Sequence, residues 1–208
     1  DVTLLLVTIP LLRTLVVMMT SFTRYVVSLS FLRTAMGTQQ TPPNTVLVGM
    51  ALILTLFTMT PTLNTIKTTA FDPYVEGEIT QQEFFDRAKL PLKRFMLRNA
   101  EIGTVQMYCE MAGETPPTTV EELEESVDLP MLVIAPAFVT SELKAAFWIG
   151  FLLYIPFMLI DVIVSSTLMS MGMIMLPPSM ISTPFKILLF ILLDGWSLLF
   201  STLIQTVK

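Results

Sequence analysis

The chain has 208 residues, of which 53% are hydrophobic and only 14% are charged, and its mean hydropathy is +0.71. Because about a quarter of the residues of a soluble domain are charged, this composition predicts membrane residence or burial in a large assembly. With no histidine and a single cysteine, Cys109, the chain cannot form an internal disulfide, a Ser-His-Asp or Cys-His catalytic site, or the usual zinc ligand sets.

The first apolar stretch runs from about Val2 to Met36, which is long enough to cross a bilayer, since a crossing takes about 20 residues. Pro10 interrupts it, and Arg13, Arg24 and Arg33 lie within it. In a continuous helix Arg13 and Arg24 share a face, whereas Arg33 lies almost opposite Arg24. Charges in hydrocarbon are costly and usually face protein or water, so the arginines predict that this stretch sits inside an assembly.

A polar turn over Gly37–Asn44 precedes a second apolar helix, predicted over about Thr45–Ile66. Gly37 is placed to cap the first helix, and the two prolines that follow prevent that helix from continuing. Pro61 is expected to kink the second helix or to end it early. Residues 1–66 are therefore predicted to form an N-terminal apolar part.

Residues 67–130 form a polar segment that holds 13 of the 17 acidic residues of the chain. Apolar residues at three- and four-residue spacing predict helix over Gln81–Met111. Thr80, three residues before Glu83, predicts a capping box at the start of this helix. The segment is therefore predicted to be a helical insertion.

The end of the polar segment is predicted as a loop over Gly113–Thr119 and a solvated acidic helix start at Glu121–Glu125. By the positive-inside tendency the acidic segment is expected on the non-cytoplasmic side of the membrane, in the periplasm. No basic patch is present to neutralise phosphates, so nucleic-acid binding is not expected.

The last part, residues 131–208, is predicted as apolar helices joined by a methionine-rich loop at 169–178. The stretch Met131–Ser170 is too long for one bilayer crossing and contains Pro156, so it predicts a helical hairpin or two closely apposed helices. A last apolar helix is predicted over about Thr183–Thr206, with an Asp-Gly pair in its middle.

Methionines alternate through the loop, at Met169, Met171, Met173 and Met175. Residues two apart point about 200° apart in a helix but to the same side in an extended segment, and Gly172 favours the loop. Methionine packs against irregular partners without a fixed shape, so a ring of such loops could close a pore around a passing chain. From the residues alone, ordinary core methionines are the favoured alternative in a chain with 15 methionines.

Isolated charges also lie in the apolar helices of this part. Glu142 and Lys144 are two apart and do not face each other on a helix, so each has a partner on a neighbouring subunit or lies in solvent at a loop start. Asp161, Lys186 and Asp194 are interpreted as members of intersubunit or interhelical ion pairs rather than of a proton relay. Lys186 is expected to pair with a carboxylate that the sequence does not identify.

The sequence contains neither a Gly-x-x-x-x-Gly-Lys-Ser/Thr loop nor an apparent nucleophile–base pair, so no enzymatic activity, cofactor or metal is expected. A self-contained secondary transporter is an alternative from a different class. It predicts inverted internal repeats, and none is apparent.

Four groups of residues resemble the FliP family in order and spacing. They are Met19–Arg24 with Leu32-Arg33 and Gly37–Asn44; Pro136–Lys144 with Phe147–Phe151; Leu168–Pro178; and Pro184–Lys186 with Asp194–Trp196. The resemblance covers nearly the whole chain apart from the variable polar segment. The departures are local: Trp148 replaces a usually polar residue, Arg13 a small or apolar one, and Ile174 interrupts consecutive methionines.

The resemblance implies an all-α, membrane-associated fold of helical hairpins. It implies that several copies assemble with FliQ and FliR into a helical, cone-like export gate in the bacterial inner membrane, at the flagellar basal body. FlhB and FlhA are the further partners it implies, and unfolded flagellar subunits are the chains that pass. The virulence-injectisome counterpart is also similar, but the Ser21–Arg24 and Thr38–Asn44 runs look more flagellar.

The resemblance also assigns roles to residues. The loop matches the methionine-rich gasket of the family, which gives Met171, Met173 and Met175 the role of closing the pore. Much of the family's assembly is raised toward the periplasm, so helices that look like bilayer spans contact sister subunits as well as membrane lipid. Arg24 and Arg33 would then face protein.

Overall fold

The computed structural model describes residues 14, 17–38, 40–173 and 175–208, and within them the chain is all-α, as the sequence predicts. The beginning of the first apolar stretch, with Arg13, lies outside the described residues, as do Gln39 and Ile174. The described helices are α1 (Phe22–Ala35), α2 (Asn44–Ile66), α3 (Asp72–Val75), α4 (Gln81–Asn99), α5 (Ile102–Ala112), α6 (Val120–Glu125), α7 (Met131–Ser170), α8 (Pro178–Leu192) and α9 (Gly195–Gln205). A π-helical turn, Lys67–Phe71, joins α2 to α3.

The described chain divides into two compact units. The polar unit consists of the described residues up to Thr23 together with Leu54–Lys144 and Val207–Lys208. The apolar unit consists of Arg24–Ile53 and Ala145–Thr206. The three-part division of the chain at residues 66 and 130 stays a prediction.

The polar unit has a continuous apolar core. Its buried members are Met59, Phe95, Met96, Leu97, Val105, Cys109, Leu123, Leu129, Val133, Ile134, Ala137 and Phe138. Met19 and Val207 are partly buried against the same cluster. Full burial of one large apolar side chain stabilises a fold by about 1.5–3 kcal/mol. Because the cluster joins residues as far apart in sequence as Met19 and Val207, packing between distant segments holds this unit together.

The predicted capping box is present at the start of α4. The Thr80 hydroxyl accepts a hydrogen bond from the Glu83 N–H at 3.3 Å, and the Glu83 carboxylate accepts one from the Thr80 N–H at 2.8 Å. The bond from the Thr80 N–H lowers the pKa of the Glu83 carboxyl group most, and a second bond to the same carboxylate, donated by the Thr80 hydroxyl at 3.0 Å, lowers it further. The predicted loop and the acidic helix α6 are also confirmed, with Thr119 capping α6.

Helix does not continue over the whole of Gln81–Met111. The chain leaves the helical conformation at Ala100, where ψ is 146°, and α5 begins two residues later. Side chains satisfy the backbone groups at this break: Asn99 Nδ2 donates to the Phe95 carbonyl at 2.9 Å, and Ser141 Oγ accepts from the Glu101 N–H at 2.9 Å. Periodicity does not predict this break, because apolar spacing continues through it.

Prolines end neither of the two longest helices. The helix α2 continues through Pro61 to Ile66, so an early end there is excluded. The prediction that Pro156 divides a hairpin is wrong, because α7 runs unbroken from Met131 to Ser170. A proline removes one N–H donor, but in apolar surroundings the other backbone groups still gain most from helical pairing.

Two described helical segments, Asn44–Val75 and Met131–Ser170, are long and apolar enough to cross a membrane. The pair α8–α9 passes the same test as one broken span. At 1.5 Å per residue α7 is about 60 Å long, roughly twice the thickness of a hydrocarbon layer. The chain is accordingly a membrane-associated protein.

The last apolar region begins earlier than predicted, at Pro178, and forms two helices. Asp194 adopts a left-handed conformation with φ +48°, and α8 and α9 meet at a bend of 67°. A Cβ atom on Gly195 would lie 2.3 Å from the ring of Phe190. Any larger residue at position 195 would therefore have to displace the Phe190 ring from the bend.

Candidate functional site

The methionine-rich loop joins α7 to α8 within the apolar unit. Gly172 has φ +75°; its N–H donates to the Met169 carbonyl at 3.1 Å, and the Met173 N–H donates to the Leu168 carbonyl at 3.0 Å. This pair of bonds is a Schellman motif, which ends a helix at a left-handed glycine. Pro178 then takes the first position of α8, where its missing N–H costs no hydrogen bond.

The methionines of this loop are exposed. Met171 and Met173 are well exposed, and Met175 is 98% exposed. Methionine is usually buried in proteins, and these three do not contribute to the core of the protomer. Their flexible side chains are accessible at the surface of the protomer.

Lys186 on α8 and Asp161 on α7 form an ion pair. Lys186 Nζ lies 2.6 Å from Asp161 Oδ2, and it also donates to the Ala35 carbonyl at 3.1 Å. The Lys186 side chain is 7% exposed, whereas that of Asp161 is 45% exposed. The carbonyl groups at a helix C-terminus lack helical partners and carry partial negative charge, so α1 supplies a second ligand for the ammonium group. The expected partner of Lys186 is thus Asp161.

The polar turn after α1 lies close to α8. Gly37 has φ +74°, and a Cβ atom there would lie 3.0 Å from Thr183 Oγ1 and 3.9 Å from Lys186 Nζ. The backbone conformation therefore favours glycine, and any larger residue would also have to displace the Thr183 hydroxyl. The prediction that Gly37 caps α1 is confirmed by its N–H bond to the Thr34 carbonyl, at 3.0 Å.

The Asp161–Lys186 pair holds α7 to α8 at some distance from the loop. Asp161 precedes Met171 by ten residues, which is about 15 Å along a helix. An apolar groove between the two helices occupies this interval. Its lining residues are Ile160, Ile163, Val164, Thr167, Leu168, Ile181 and Phe185. Helices α7 and α8 thus form a hairpin whose tip is the methionine-rich loop. The Asp161–Lys186 ion pair holds its base, and apolar side chains line the part between the pair and the tip.

Arg24 and Arg33 lie on α1, and their environments differ. Arg24 is buried, and its guanidinium donates to the Thr206 carbonyl just beyond the end of α9. Arg33 is half-buried, and its carbonyl accepts from the Thr38 hydroxyl at 3.2 Å. The helix is continuous between the two arginines, so they lie on nearly opposite faces, as predicted for nine residues of helix.

Glu142 and Lys144 lie on the part of α7 that belongs to the polar unit. Glu142 is 1% exposed. Lys144 is exposed, and its Nζ binds the Glu101 carboxylate at 2.8 Å and Thr104 Oγ1 at 2.9 Å. The bonds from Lys144 and then from Thr104 lower the pKa of Glu101. Lys144 therefore finds its partner within the same chain.

The remaining sequence-predicted charge, Asp194, is exposed at the α8–α9 bend. Sequence reasoning misses Glu101, which is 43 residues from Lys144, and the Ala35 carbonyl, which is 151 residues from Lys186. No pattern in the sequence links such distant positions. The helix end at Ala35 is signalled by Gly37, but the pattern does not indicate what that end contacts.

Within the part of the chain that the structure describes, no group of three or more Cys, Asp or Glu side chains is arranged to hold a metal ion. Burial raises the pKa of the Cys109 thiol, which makes it a poor nucleophile, because the thiolate is the reactive form.

Comparison with known proteins identifies a family model, the FliP family, that matches residues 5–203. The Flagellar biosynthetic protein FliP of Aquifex aeolicus (strain VF5) is 47% identical over 192 residues, which cover 92% of this chain and 79% of that protein. The protein of the same name from Bacillus subtilis (strain 168) is 45% identical, covering 92% of this chain and 84% of that protein. That from Pectobacterium carotovorum subsp. carotovorum is 44% identical, covering 97% and 76%.

Proposed function

Because the chain belongs to the FliP family, we propose that it is a pore-forming subunit of the flagellar type III protein export gate. As a family member it is a flagellar biosynthetic protein of the export apparatus. In the proposed role it passes unfolded flagellar subunits and catalyses no reaction itself, with no cofactor or metal.

The observation that supports this role most directly is the exposed methionine loop at the tip of the α7–α8 hairpin. Met171, Met173 and Met175 are exposed in the protomer, and thioether side chains pack against partners of irregular shape. Loops from several copies would meet as a gasket that excludes water and ions from the closed pore. The gasket would yield to a passing chain because methionine is flexible.

The hairpin suggests how such a gasket could move. The Asp161–Lys186 pair lies about 15 Å from Met171 along α7 and holds the base of the hairpin. The interval toward the loop is lined by apolar side chains, whose contacts are non-directional. Opening of the gate would displace the tips while the pinned bases stay in place.

The partners follow from the family and from the exposed apolar surface. Large apolar side chains are exposed along α7 and α8, among them Phe147, Phe151, Leu159, Phe185 and Leu192. Extensive exposed apolar surface marks contact with protein or membrane, here several copies of this chain, FliQ, FliR and membrane lipid. FlhB and FlhA would bind the assembled gate.

Charged residues would set the contacts between copies. Arg33 and Asp194 are accessible in the protomer and are proposed to pair across subunits. Arg24, Glu142 and Lys186 are buried, and each would hold in place the neighbouring groups that form the surface of the protomer.

The proposed location is the bacterial inner membrane at the flagellar basal body, with the acidic insertion in the periplasm. The three relatives described above are named as flagellar proteins, which favours the flagellar gate over the injectisome counterpart. A self-contained secondary transporter stays a less favoured alternative.

The assembly is tested by native mass spectrometry of the detergent-extracted chain after co-expression with FliQ and FliR. We expect a discrete hetero-oligomer with several copies of this chain. A stable monomer that binds neither partner would refute the proposal and favour the transporter.

The gasket is tested by ion leakage through the assembled gate in proteoliposomes. We expect Met173→Ala and Met175→Ala to increase leakage, because alanine leaves a gap where a thioether side chain filled the pore. Met111→Ala is the matched control, since Met111 is also exposed but lies on α5 in the polar unit. Leakage equal to that of the control would refute the gasket.

A further inference from the structure

Asn99, the last residue of α4, binds the main chain of Lys208. Its Nδ2 donates to the Lys208 carbonyl at 3.1 Å, and its Oδ1 accepts from the Lys208 N–H at 2.9 Å. The same Nδ2 donates to the Phe95 carbonyl at 2.9 Å. One carboxamide thus satisfies a carbonyl in the last turn of α4 and both polar backbone groups of a residue 109 positions away.

The bound segment also takes part in the core of the polar unit. α9 ends at Gln205, and Val207, which follows it, is partly buried against the apolar cluster that contains Phe95 and Cys109. Val207 and Lys208 belong to the polar unit, whereas the residues up to Thr206 belong to the apolar unit. The chain thus returns to the polar unit after its last apolar helix.

We propose that Val207–Lys208 is a strap that closes the core of the polar unit, and that Asn99 is the residue that holds it. Val207 supplies the apolar cover, and the Asn99 carboxamide fixes the position of Val207 by binding the neighbouring backbone. The specificity lies in the main chain at position 208, because both bonds go to backbone atoms of Lys208.

The strap has a consequence for assembly. The core of the polar unit stays incomplete until the segment after α9 has docked. A chain in which Val207 has not docked therefore exposes part of this core. The strap thus couples the surface of the polar unit to the position of the two residues Val207 and Lys208.

Cys109 provides the readout. It is the only cysteine of the chain and is fully buried in the core that the strap covers. The rate at which a maleimide labels its thiol in native membranes therefore reports how often this core opens. The measurement uses the full-length chain, and labelling after denaturation gives the total amount of thiol.

The two hydrogen bonds between Asn99 and the main chain of Lys208 form the clasp of the strap, and two variants each break at least one of them without changing a core side chain. Asn99→Asp keeps the acceptor but places a carboxylate against the carbonyls of Phe95 and Lys208. Lys208→Pro removes the backbone N–H that donates a hydrogen bond to Asn99 Oδ1. We expect each to accelerate Cys109 labelling roughly three- to tenfold, the factor associated with a hydrogen bond of ordinary strength.

Two matched controls isolate the cause. Lys208→Ala keeps the backbone at the clasp, and Gln82→Glu makes the same amide-to-acid change at an exposed position of α4. Both should label within about twofold of the unmodified chain, below the effect of one ordinary hydrogen bond.

The proposal is overturned if Lys208→Pro labels at the rate of the unmodified chain, or if Lys208→Ala labels as fast as Lys208→Pro. If the Asn99→Asp variant does not accumulate, the labelling rate of Lys208→Pro decides the test. Loss of both clasp variants while Lys208→Ala accumulates normally would support the strap, because only the backbone contact distinguishes the two changes at position 208.

Discussion

Replacing Asp161 with alanine should destabilise the apolar unit more than replacing Lys186 with methionine, although both changes break the same ion pair. The asymmetry follows from burial, because the Lys186 side chain is 7% exposed and that of Asp161 is 45% exposed. Asp161→Ala leaves a buried ammonium group with the Ala35 carbonyl as its described ligand. Lys186→Met leaves a carboxylate that is already 45% exposed in the protomer.

The magnitudes differ accordingly. Removing one partner of a fully buried pair costs about 3–5 kcal/mol. Because Asp161 is half-exposed in the protomer, we expect Asp161→Ala to cost less, about 2–3 kcal/mol. The Lys186→Met variant loses an interaction closer to a surface pair, which is worth about 1 kcal/mol or less. The double variant should be no less stable than Asp161→Ala, because it contains no buried unpaired charge.

The assay is denaturant unfolding in detergent micelles, followed by tryptophan fluorescence. Both tryptophans of the chain, Trp148 and Trp196, lie in the apolar unit. The ring of Trp196 packs edge-on against that of Phe190, with ring centroids 5.2 Å apart. The fluorescence change therefore reports the unit that contains the ion pair. Equal losses of stability in the two single variants, or a larger loss for Lys186→Met, would refute this reasoning.

Three further outcomes are expected. Gly37→Ala should lower the free energy of unfolding by about 1–2 kcal/mol, because the φ of residue 37 is +74° and the new Cβ atom would lie 3.0 Å from Thr183 Oγ1. Denaturant unfolding in detergent micelles measures the loss. Gly103→Ala on α5 is the control, which should be neutral or stabilising because a Cβ atom there meets open space. Lys144 lowers the pKa of Glu101 below its ordinary value of 4.5. The stabilisation from the Lys144–Glu101 salt bridge is therefore complete above pH 4.5 and is lost as the pH falls through the lowered pKa. If the free energy of unfolding varies with acidic pH in the same way in Lys144→Met, this expectation is contradicted. Thr80→Ala should destabilise α4 by about 1 kcal/mol through loss of the cap, measured as faster amide hydrogen exchange in its first turn, whereas unchanged exchange would show that the cap is not needed.

Local signals in the sequence predict the helix ends well. The Thr80–Glu83 capping box, the Gly37 cap and the break after Ser170 are present as expected. Each depends on residues within a few positions of one another, and the chemistry of a cap or a turn is complete at that range.

Proline signals are weaker in this chain. Pro61 and Pro156 both lie inside continuous helices. A proline inside a helix removes one N–H donor, whereas leaving the helix in apolar surroundings would leave many backbone groups without hydrogen-bond partners. The division expected at Pro156 is absent, and the chain turns at Gly172, within the loop that the sequence also predicts.

Composition and apolar patterning by themselves determined that this chain is all-α and membrane-associated, and the four groups of motif residues determined its family. Those properties arise from burial and from hydrogen bonds within single helices, which local sequence specifies. The pairing of Lys186 with Asp161 and Ala35, of Lys144 with Glu101, and of Asn99 with Lys208 was decided by tertiary structure alone. Each pair joins residues 25 to 151 positions apart, and only packing of the intervening helices sets which charged and polar groups meet.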